Sequence, residues 1–437
     1  MQYNMSPEMI VDNVYPDVTV EQLLNEVPLQ IKSNYCISAT GQYFKTDGIG
    51  FIPRLVQSLY NERNVVKKEM LKIEQDLEQA KTSQEKTYYE KEAVKRYNQE
   101  QAIKILMNSL YGAMSNEFFR YYDMRIAESI TVTGQLTIQW AEKRINKYFN
   151  EVLGTSNIDY VIAIDTDSLY INFGPLVKKL YTGNNDSASI IHYIDDYCKT
   201  TIQPILEKGY VELKQYLNAP VQKISMKREI IADKGIWTGK KHYILNVFNN
   251  EGVQYKQPKL KVMGLEMVKS STPTAIREKM KEVINLLING TEQDVQKFVE
   301  DFRTEFKTLP IEDISFPRGI SNLNTYVDPV TLYRKSTPIH VKGAILYNHY
   351  VKSFKVDKKY PLINEGEKLK YIYLKMPNPI KDFVISYSTQ LPTEFGLDKY
   401  IDYDVQYDKT FLEPIRGILD CIGWKAEKVN SIEDFFS

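Results

Sequence analysis

Apolar and polar positions follow two rhythms along this chain, and each predicts a different element. From Pro53 to about Ser115 the pattern is long, charged and helical with few breakers, and the polar stretch Lys81-Thr82-Ser83-Gln84 marks a bend. Two antiparallel helices joined there are expected. Residues 1 to about 50 hold short mixed segments and turn signals at Gly41 and Gly48-Ile49-Gly50. Residues 117 to about 265 alternate helical and strand patterns. Within them, the apolar runs Tyr160-Val161-Ile162-Ala163-Ile164 and Leu169-Tyr170-Ile171 read as buried β-strands, with Asp165-Thr166-Asp167-Ser168 as a hairpin tip between them. Farther on, residues 274–289 pattern as an amphipathic helix, and mixed segments follow. No apolar run approaches about 20 residues, and the amino terminus is polar and acidic. Neither a membrane span nor a signal peptide is expected.

Composition changes this picture little. At 437 residues the chain has room for two or three domains. Lys plus Arg and Asp plus Glu both number 56, so the net charge is zero. That balance neither advertises nor excludes a nucleic-acid binder, because local basic patches bind phosphate, not the total. Cys36, Cys198 and Cys421 lie far apart without metal-ligand spacing and suit a reducing compartment. The four histidines are scattered and form no zinc signature. There are no internal repeats.

Candidate chemistry begins at the acidic tip. Asp165 and Asp167, one residue apart, bring carboxylates to a sharp point of the kind hard divalent cations such as Mg²⁺ need. Asp and Ser are also ordinary turn residues, which is the plain alternative. About sixty residues upstream, Lys104-Ile105-Leu106-Met107-Asn108-Ser109-Leu110-Tyr111-Gly112 changes the balance. On a helix Lys104, Asn108 and Tyr111 fall at i, i+4 and i+7, so one face offers a cation, an amide and an aromatic plane. Gly112 leaves room for a close neighbour. Such a face suits a nucleoside triphosphate, whereas a core stripe would carry Leu and Ile. Arg63 and Lys67, at i and i+4, share a face of the preceding helix. In isolation that pair is an ordinary solvated face.

These strings resemble motifs of family B DNA polymerases. Lys104 to Gly112 is similar to the family's fingers-helix motif, and Asp165 to Ser168 to its palm metal motif. Phe119-Arg120-Tyr121-Tyr122-Asp123 follows the fingers motif as it does in the T-even bacteriophage type. Trp237-Thr238-Gly239-Lys240-Lys241-His242-Tyr243 resembles the Lys-Lys-Arg-Tyr segment, with His242 in place of Arg. Pro258-Lys259-Leu260-Lys261-Val262-Met263-Gly264-Leu265-Glu266 and Lys269-Ser270-Ser271-Thr272-Pro273 resemble the entry into the thumb. Two departures stand out. Ala163-Ile164 replaces the family's Tyr-Gly before the acidic tip, and Ile164 brings bulk beside the metal site. The motif ending Ser-Leu-Tyr-Pro-Ser, which supplies another catalytic aspartate, does not occur. Gln2-Tyr3-Asn4-Met5-Ser6-Pro7-Glu8 resembles the stretch that follows it. The chain therefore resembles the carboxy-terminal portion of such a polymerase, without the exonuclease and amino-terminal domains. A split gene whose halves assemble is the preferred reading; a truncated gene and an expression fragment are the others.

The resemblance implies an α+β fold with right-hand architecture: a palm sheet, helical-hairpin fingers and a mostly helical thumb. In chain order, residues 1–50 are expected to begin the palm and residues 51–116 to form the fingers. Residues 117–265 complete the palm and carry the metal hairpin, and residues 266–437 form the thumb. The implied activity is DNA-directed DNA synthesis, with two Mg²⁺ ions (or Mn²⁺) held by Asp167 and Asp165. Glu229, in Met226-Lys227-Arg228-Glu229-Ile230, is a secondary charge near the metals. Arg63, Lys67, Lys104 and Asn108 would position the triphosphate, with Tyr111 and Gly112 shaping the base-pair pocket. Lys240, Lys241 and Tyr243 would face primer-template DNA. Ile432, Phe435 and Phe436 resemble a clamp-binding tail for a sliding clamp, although Val429 stands where many such tails have Gln. An amino-terminal polymerase chain would supply the missing aspartate and exonuclease, in a host bacterial cytoplasm if the gene belongs to a phage. The alternative is a non-catalytic DNA- and clamp-binding remnant of the same fold.

Overall fold

The computed structural model of the protein describes residues 1–428, so the clamp-tail reading at Ile432, Phe435 and Phe436 lies outside the described residues. Mixed helices and sheets make it an α+β chain. It divides into two compact units: Met1–Asp233 with Val247–Lys259, and Lys234–Asn246 with the chain from Leu260 onward.

The first unit opens with β1 (Ile10–Val14), the short α1 (Val20–Leu24), β2 (Tyr35–Ile37) and β3 (Gln42–Lys45), whose strands form a sheet in the order β1-β3-β2. Next come α2 (Phe51–Gln79) and α3 (Ser83–Met114), the two long helices expected, with the chain turning at Ala80–Thr82. Thr82 and Glu85 form a capping box that starts α3, so two of the orphan N–H groups at its first turn are satisfied by side chains. The α2 start is capped from elsewhere: Glu8 Oε1 accepts from the Phe51 N–H at 2.5 Å.

A third long helix, α4 (Met124–Leu153), is the beam of this unit. Asp123 caps it by accepting from the Arg125 N–H. The Arg125 side chain also bonds Asp123 and holds that carboxyl below its ordinary range. The helix ends where Gly154 adopts φ +70°, a left-handed stop that glycine enters without a Cβ clash. Ile126, Leu136 and Trp140 of α4 pack with Phe44, Cys36 and Ile37 of the first sheet. Farther along, Ile145 and Phe149 pack under Tyr160 and Val161. The chain continues as β4 (Val161–Asp165), β5 (Ser168–Ile171), α5 (Gly174–Leu180), α6 (Ser187–Tyr197) and α7 (Gln203–Tyr216).

One expectation needs correcting here. Both apolar runs read as buried strands, yet in the first only Tyr160 and Val161 are buried, with Ile162 52% and Ile164 37% exposed, and in the second Leu169, Tyr170 and Ile171 are only half-buried. The β4-β5 sheet has just two strands, and alternation turns successive side chains to opposite faces. One face packs on α4 and the other is open.

Beyond α7, β6 (Ile230–Gly239), β7 (His242–Asn250) and β8 (Val253–Met263) form a sheet in that order. The second unit has its own core. The helix expected from the sequence at 274–289 is observed as α8 (Thr274–Asn289), followed by α9 (Glu292–Phe306). Val299, Phe302 and Phe306 of α9 meet Tyr407 and Phe411 in this core. The Phe302 and Phe411 rings lie 4.7 Å apart, edge to face, a geometry that adds about 1 kcal/mol to simple burial. A second sheet here orders Val384–Tyr387, Lys368–Tyr373 and Phe316–Gly319. Among the described residues no helix is long and apolar enough to cross a membrane.

Candidate active site

The acidic tip is tighter than the four-residue turn expected. Asp165 and Ser168 are paired strand residues, so the loop is only Thr166-Asp167. Thr166 takes φ +55° to make that turn. The Asp167 N–H donates to the Asp165 carbonyl at 2.6 Å, and Thr166 Oγ1 donates to Asp165 Oδ1 at 3.0 Å. The turn therefore orients the half-buried Asp165 carboxylate from its own backbone and neighbour. Asp167 is exposed, and among the described residues it makes no ion pair.

Thr166 and Asp167 border a cavity of about 460 Å³. Leu110 and Tyr111 of α3 line it too, as do Met1 and Gln2. The acidic tip and Tyr111 thus border one space, whereas Lys104 and Asn108, the other two residues of that face, are not among those that line it. Gln2 is buried there: its Oε1 accepts from the N–H groups of Lys223 and Ile224 at 2.9 Å each. Its Nε2 has no hydrogen-bond partner. A buried amide without an acceptor is a costly arrangement.

Glu229 sits just before β6, exposed, with its carbonyl accepting from the Glu251 N–H at 2.6 Å. Its neighbour Arg228 is anchored to Asp195 and, at 2.5 Å, to Asn249 Oδ1. Among the described residues, no group of three His, Cys, Asp or Glu is placed to hold one metal ion. Asp165, Asp167 and Glu229 are therefore not gathered into a metal cage. The donor set that fits a hard cation here is the pair of tip carboxylates, which leaves coordination positions for further oxygen ligands.

The helical hairpin presents a mixed picture. Lys104 and Asn108 are exposed and, among the described residues, make no side-chain bond. Tyr111 is partly exposed, and a Cβ on Gly112 would meet nothing within 4 Å. Arg63 and Lys67 of α2 are both paired. Arg63 Nε donates to Glu100 Oε1 at 2.7 Å, with Nη2 at 2.5 Å from the same oxygen. Glu100 stands one helical turn before Lys104, so this pair brings Arg63 to the Lys104 face. Lys67 Nζ lies 2.6 Å from Glu251 Oε1 in the β7-β8 turn. Neither carboxylate was singled out in the sequence. Glu100, at i−4 from Lys104 on the same face, was the detectable one; Glu251 carried no local signal.

In the second unit, Lys240 and Lys241 are exposed in the turn between β6 and β7, where Lys241 has φ +64°. Tyr243 is 5% exposed, with its ring 6.2 Å from that of Trp237. Of these three residues only the lysines face solvent. Gly264 was also passed over. It has φ +72°, and a Cβ there would collide with the Lys241 carbonyl oxygen and the His242 ring. It lets the end of β8 press against the lysine turn.

The model of DNA polymerase family B matches residues 1–422. This chain belongs to that family. The family B chain is 30% identical to the DNA-directed DNA polymerase of Escherichia phage RB69, over all of this chain and 53% of that polymerase. It is 33% identical to the DNA-directed DNA polymerase of Enterobacteria phage T4, over 76% of this chain and 38% of that one. A DNA polymerase of Pyrococcus glycovorans is 24% identical over 95% of this chain and 44% of its own length. The family B chain thus spans about half the length of the curated relatives it matches.

Proposed function

We propose that this chain is the carboxy-terminal polymerase portion of a phage-type, DNA-directed DNA polymerase. It would extend a primer 3′ end with deoxynucleotides, with the first catalytic aspartate and the exonuclease supplied by another chain. The observation that carries this reading is the exposed Asp167 at a two-residue tip, opening on the cavity that Tyr111 of α3 also lines.

On this reading the molecule is a right hand. Residues 1–50 and 117–265 form the palm, 51–116 the fingers, and 266–437 the thumb with its clamp-binding tail. Asp167, with Asp165 beside it, would hold two Mg²⁺ ions, or Mn²⁺ in their place, and Glu229 would add charge nearby. The chemistry such ions supply is a lowered pKa for the primer hydroxyl and neutralisation of the triphosphate. Lys104 and Asn108 are exposed to receive the phosphates, and Arg63 and Lys67 join them from α2. Tyr111 and Gly112 shape the space for the new base pair. Lys240 and Lys241 contact the DNA backbone without reading sequence. Tyr243 supports that turn from within.

One feature suits a further aspartate-bearing segment at the tip: two carboxylates alone do not complete a three-acid group. The partners are then an amino-terminal polymerase chain, primer-template DNA, deoxynucleoside triphosphates and a sliding clamp, in the cytoplasm of a bacterial host. A non-catalytic remnant is the second reading, favoured by the incomplete acid set and by Ile164 next to the tip.

Primer extension with Mg²⁺ and all four deoxynucleotides decides between them. This chain is assayed alone and with a candidate amino-terminal half, with Asp167→Asn as control. Extension in the mixture, abolished by Asp167→Asn, is the expected result. A stable complex on primer-template that extends nothing sinks the catalytic reading and leaves the remnant.

A further inference from the structure

One face of α2 lies along the β7-β8 hairpin, and ion pairs of opposite polarity tie it down. Lys67, Met70, Glu74 and Glu78 recur at i, i+3, i+7 and i+11, a single helical stripe. At one end Lys67 Nζ meets Glu251 Oε1 at 2.6 Å. At the other, Lys259 Nζ of β8 meets Glu78 Oε1 at 2.6 Å and lies 4.0 Å from the Tyr255 ring centroid. Met70 is buried between them. Glu251 is held firmly in place: it has φ +50° at the turn, and its N–H is bonded to the Glu229 carbonyl.

Arg63 and Lys67 differ in how readily they can change partner. Glu100, the partner of Arg63, has a side chain only 4% exposed. Stripping it would leave a buried charge with the Gln101 amide, which donates to Oε2 at 2.9 Å, in place of a cation, which is strongly unfavourable. Arg63 also uses only Nε and Nη2 for this pair, so it can keep Glu100 and still offer Nη1 to a phosphate. The Lys67 and Glu251 side chains are 29% and 21% exposed. Water can solvate both when they part, and a compact ammonium turns readily from one anion to another.

We propose that Glu251 is a placeholder for phosphate. It holds Lys67 in the nucleotide-free protein and releases it to an incoming deoxynucleoside triphosphate, so Glu251 sets part of the nucleotide affinity. The proposal rests on the reading of Lys67 as a phosphate-binding residue and goes beyond it in naming the group that competes. A triphosphate outbids a single carboxylate by its greater charge. Once Lys67 leaves, that end of α2 loses its ion pair to the hairpin while Glu78 keeps Lys259 at the other, so nucleotide binding loosens one end of the fingers hairpin.

The test is a titration with Mg²⁺–dATP, by calorimetry, of the chain assembled with the candidate amino-terminal half on a dideoxy-terminated primer with a templating dT, using wild type, Glu251→Gln, Lys67→Ala and the double variant. Partly exposed ion pairs are weak, so Glu251→Gln should tighten binding by about 2–5-fold. Lys67→Ala should weaken it, and the double variant should match Lys67→Ala because the competitor matters only through Lys67. If Lys67→Ala weakens binding but Glu251→Gln does not tighten it, the placeholder idea falls and the phosphate-binding role of Lys67 stands. If Lys67→Ala changes nothing, or wild type does not bind, both fall. A measurement without mutation guards against misfolded variants: saturating Mg²⁺–dATP should speed amide exchange at residues 250–253 in the wild type. Unchanged exchange there overturns the proposal.

Discussion

Arg63 and Glu100 clasp each other across the helical hairpin, with Arg63 Nη2 2.5 Å from Glu100 Oε1 and the carboxylate buried between α2 and α3. A residue that reads from the sequence as a phosphate ligand is therefore also a brace for the element that carries it. Removing the guanidinium leaves the buried carboxylate without its cation, although the Gln101 amide still donates to Oε2, so Arg63→Ala should cost about 3 kcal/mol of stability. Urea denaturation of the purified chain measures this. A loss well under 1 kcal/mol would show that Glu100 has another way to be solvated.

Glu74 gives the hairpin a pH dependence. Burial holds its carboxyl above the ordinary 4.5, with Lys259 opposing and Glu251 and Glu78 adding to the rise. The folded protein therefore binds the Glu74 proton more tightly than the unfolded chain does. The stability this confers is complete below 4.5 and is lost as pH climbs through the raised value. Glu74→Gln removes that loss. The stability difference between variant and wild type should move in favour of the variant from pH 4.5 toward neutrality. A difference that stays flat across that range would contradict it.

Gly264 tests the packing behind the lysine turn. Its φ of +72° and the Lys241 carbonyl facing it leave no place for a methyl group. Gly264→Ala should destabilise the protein by about 1–3 kcal/mol. Gly319→Ala is the control, since a Cβ there meets nothing within 4 Å. Thermal melts of the two variants should separate clearly; coincident melts would mean that the turn can shift aside.

The thiols should react in two classes. Cys421 is exposed, while Cys36 and Cys198 are buried and burial pushes each thiol up to about 12. The thiolate is the nucleophile, so at pH 8 a maleimide should label one cysteine quickly and the other two only after denaturation. Mass spectrometry of the labelled peptides identifies which. Rapid labelling of Cys36 would mean that the first sheet opens easily.

Much of the local architecture was legible. The charged helical stretch broken near Lys81-Thr82 became α2 and α3, because the break and the Thr82–Glu85 capping box that restarts the helix are local in the chain. The acidic hairpin was legible because two apolar runs flank the residues that turn. Burial was not. Ile162 and Ile164 look like core residues, yet their exposure depends on how many strands the sheet has and what stacks on it. Tyr243 looked available to a ligand and is buried beside Trp237, a fact of sheet packing.

Sequence by itself determined the family, the helices and turns, and the two-carboxylate acidic tip, because each of these rests on motifs and neighbours within a few turns of chain. Tertiary structure alone decided what those residues touch. Arg63 meets Glu100 across 37 residues and Lys259 meets Glu78 across 181, while Lys67 is paired with Glu251 rather than left free. An ion pair needs only two atoms within a few ångströms. Periodicity along the chain carries no information about which distant carboxylate folding will bring there.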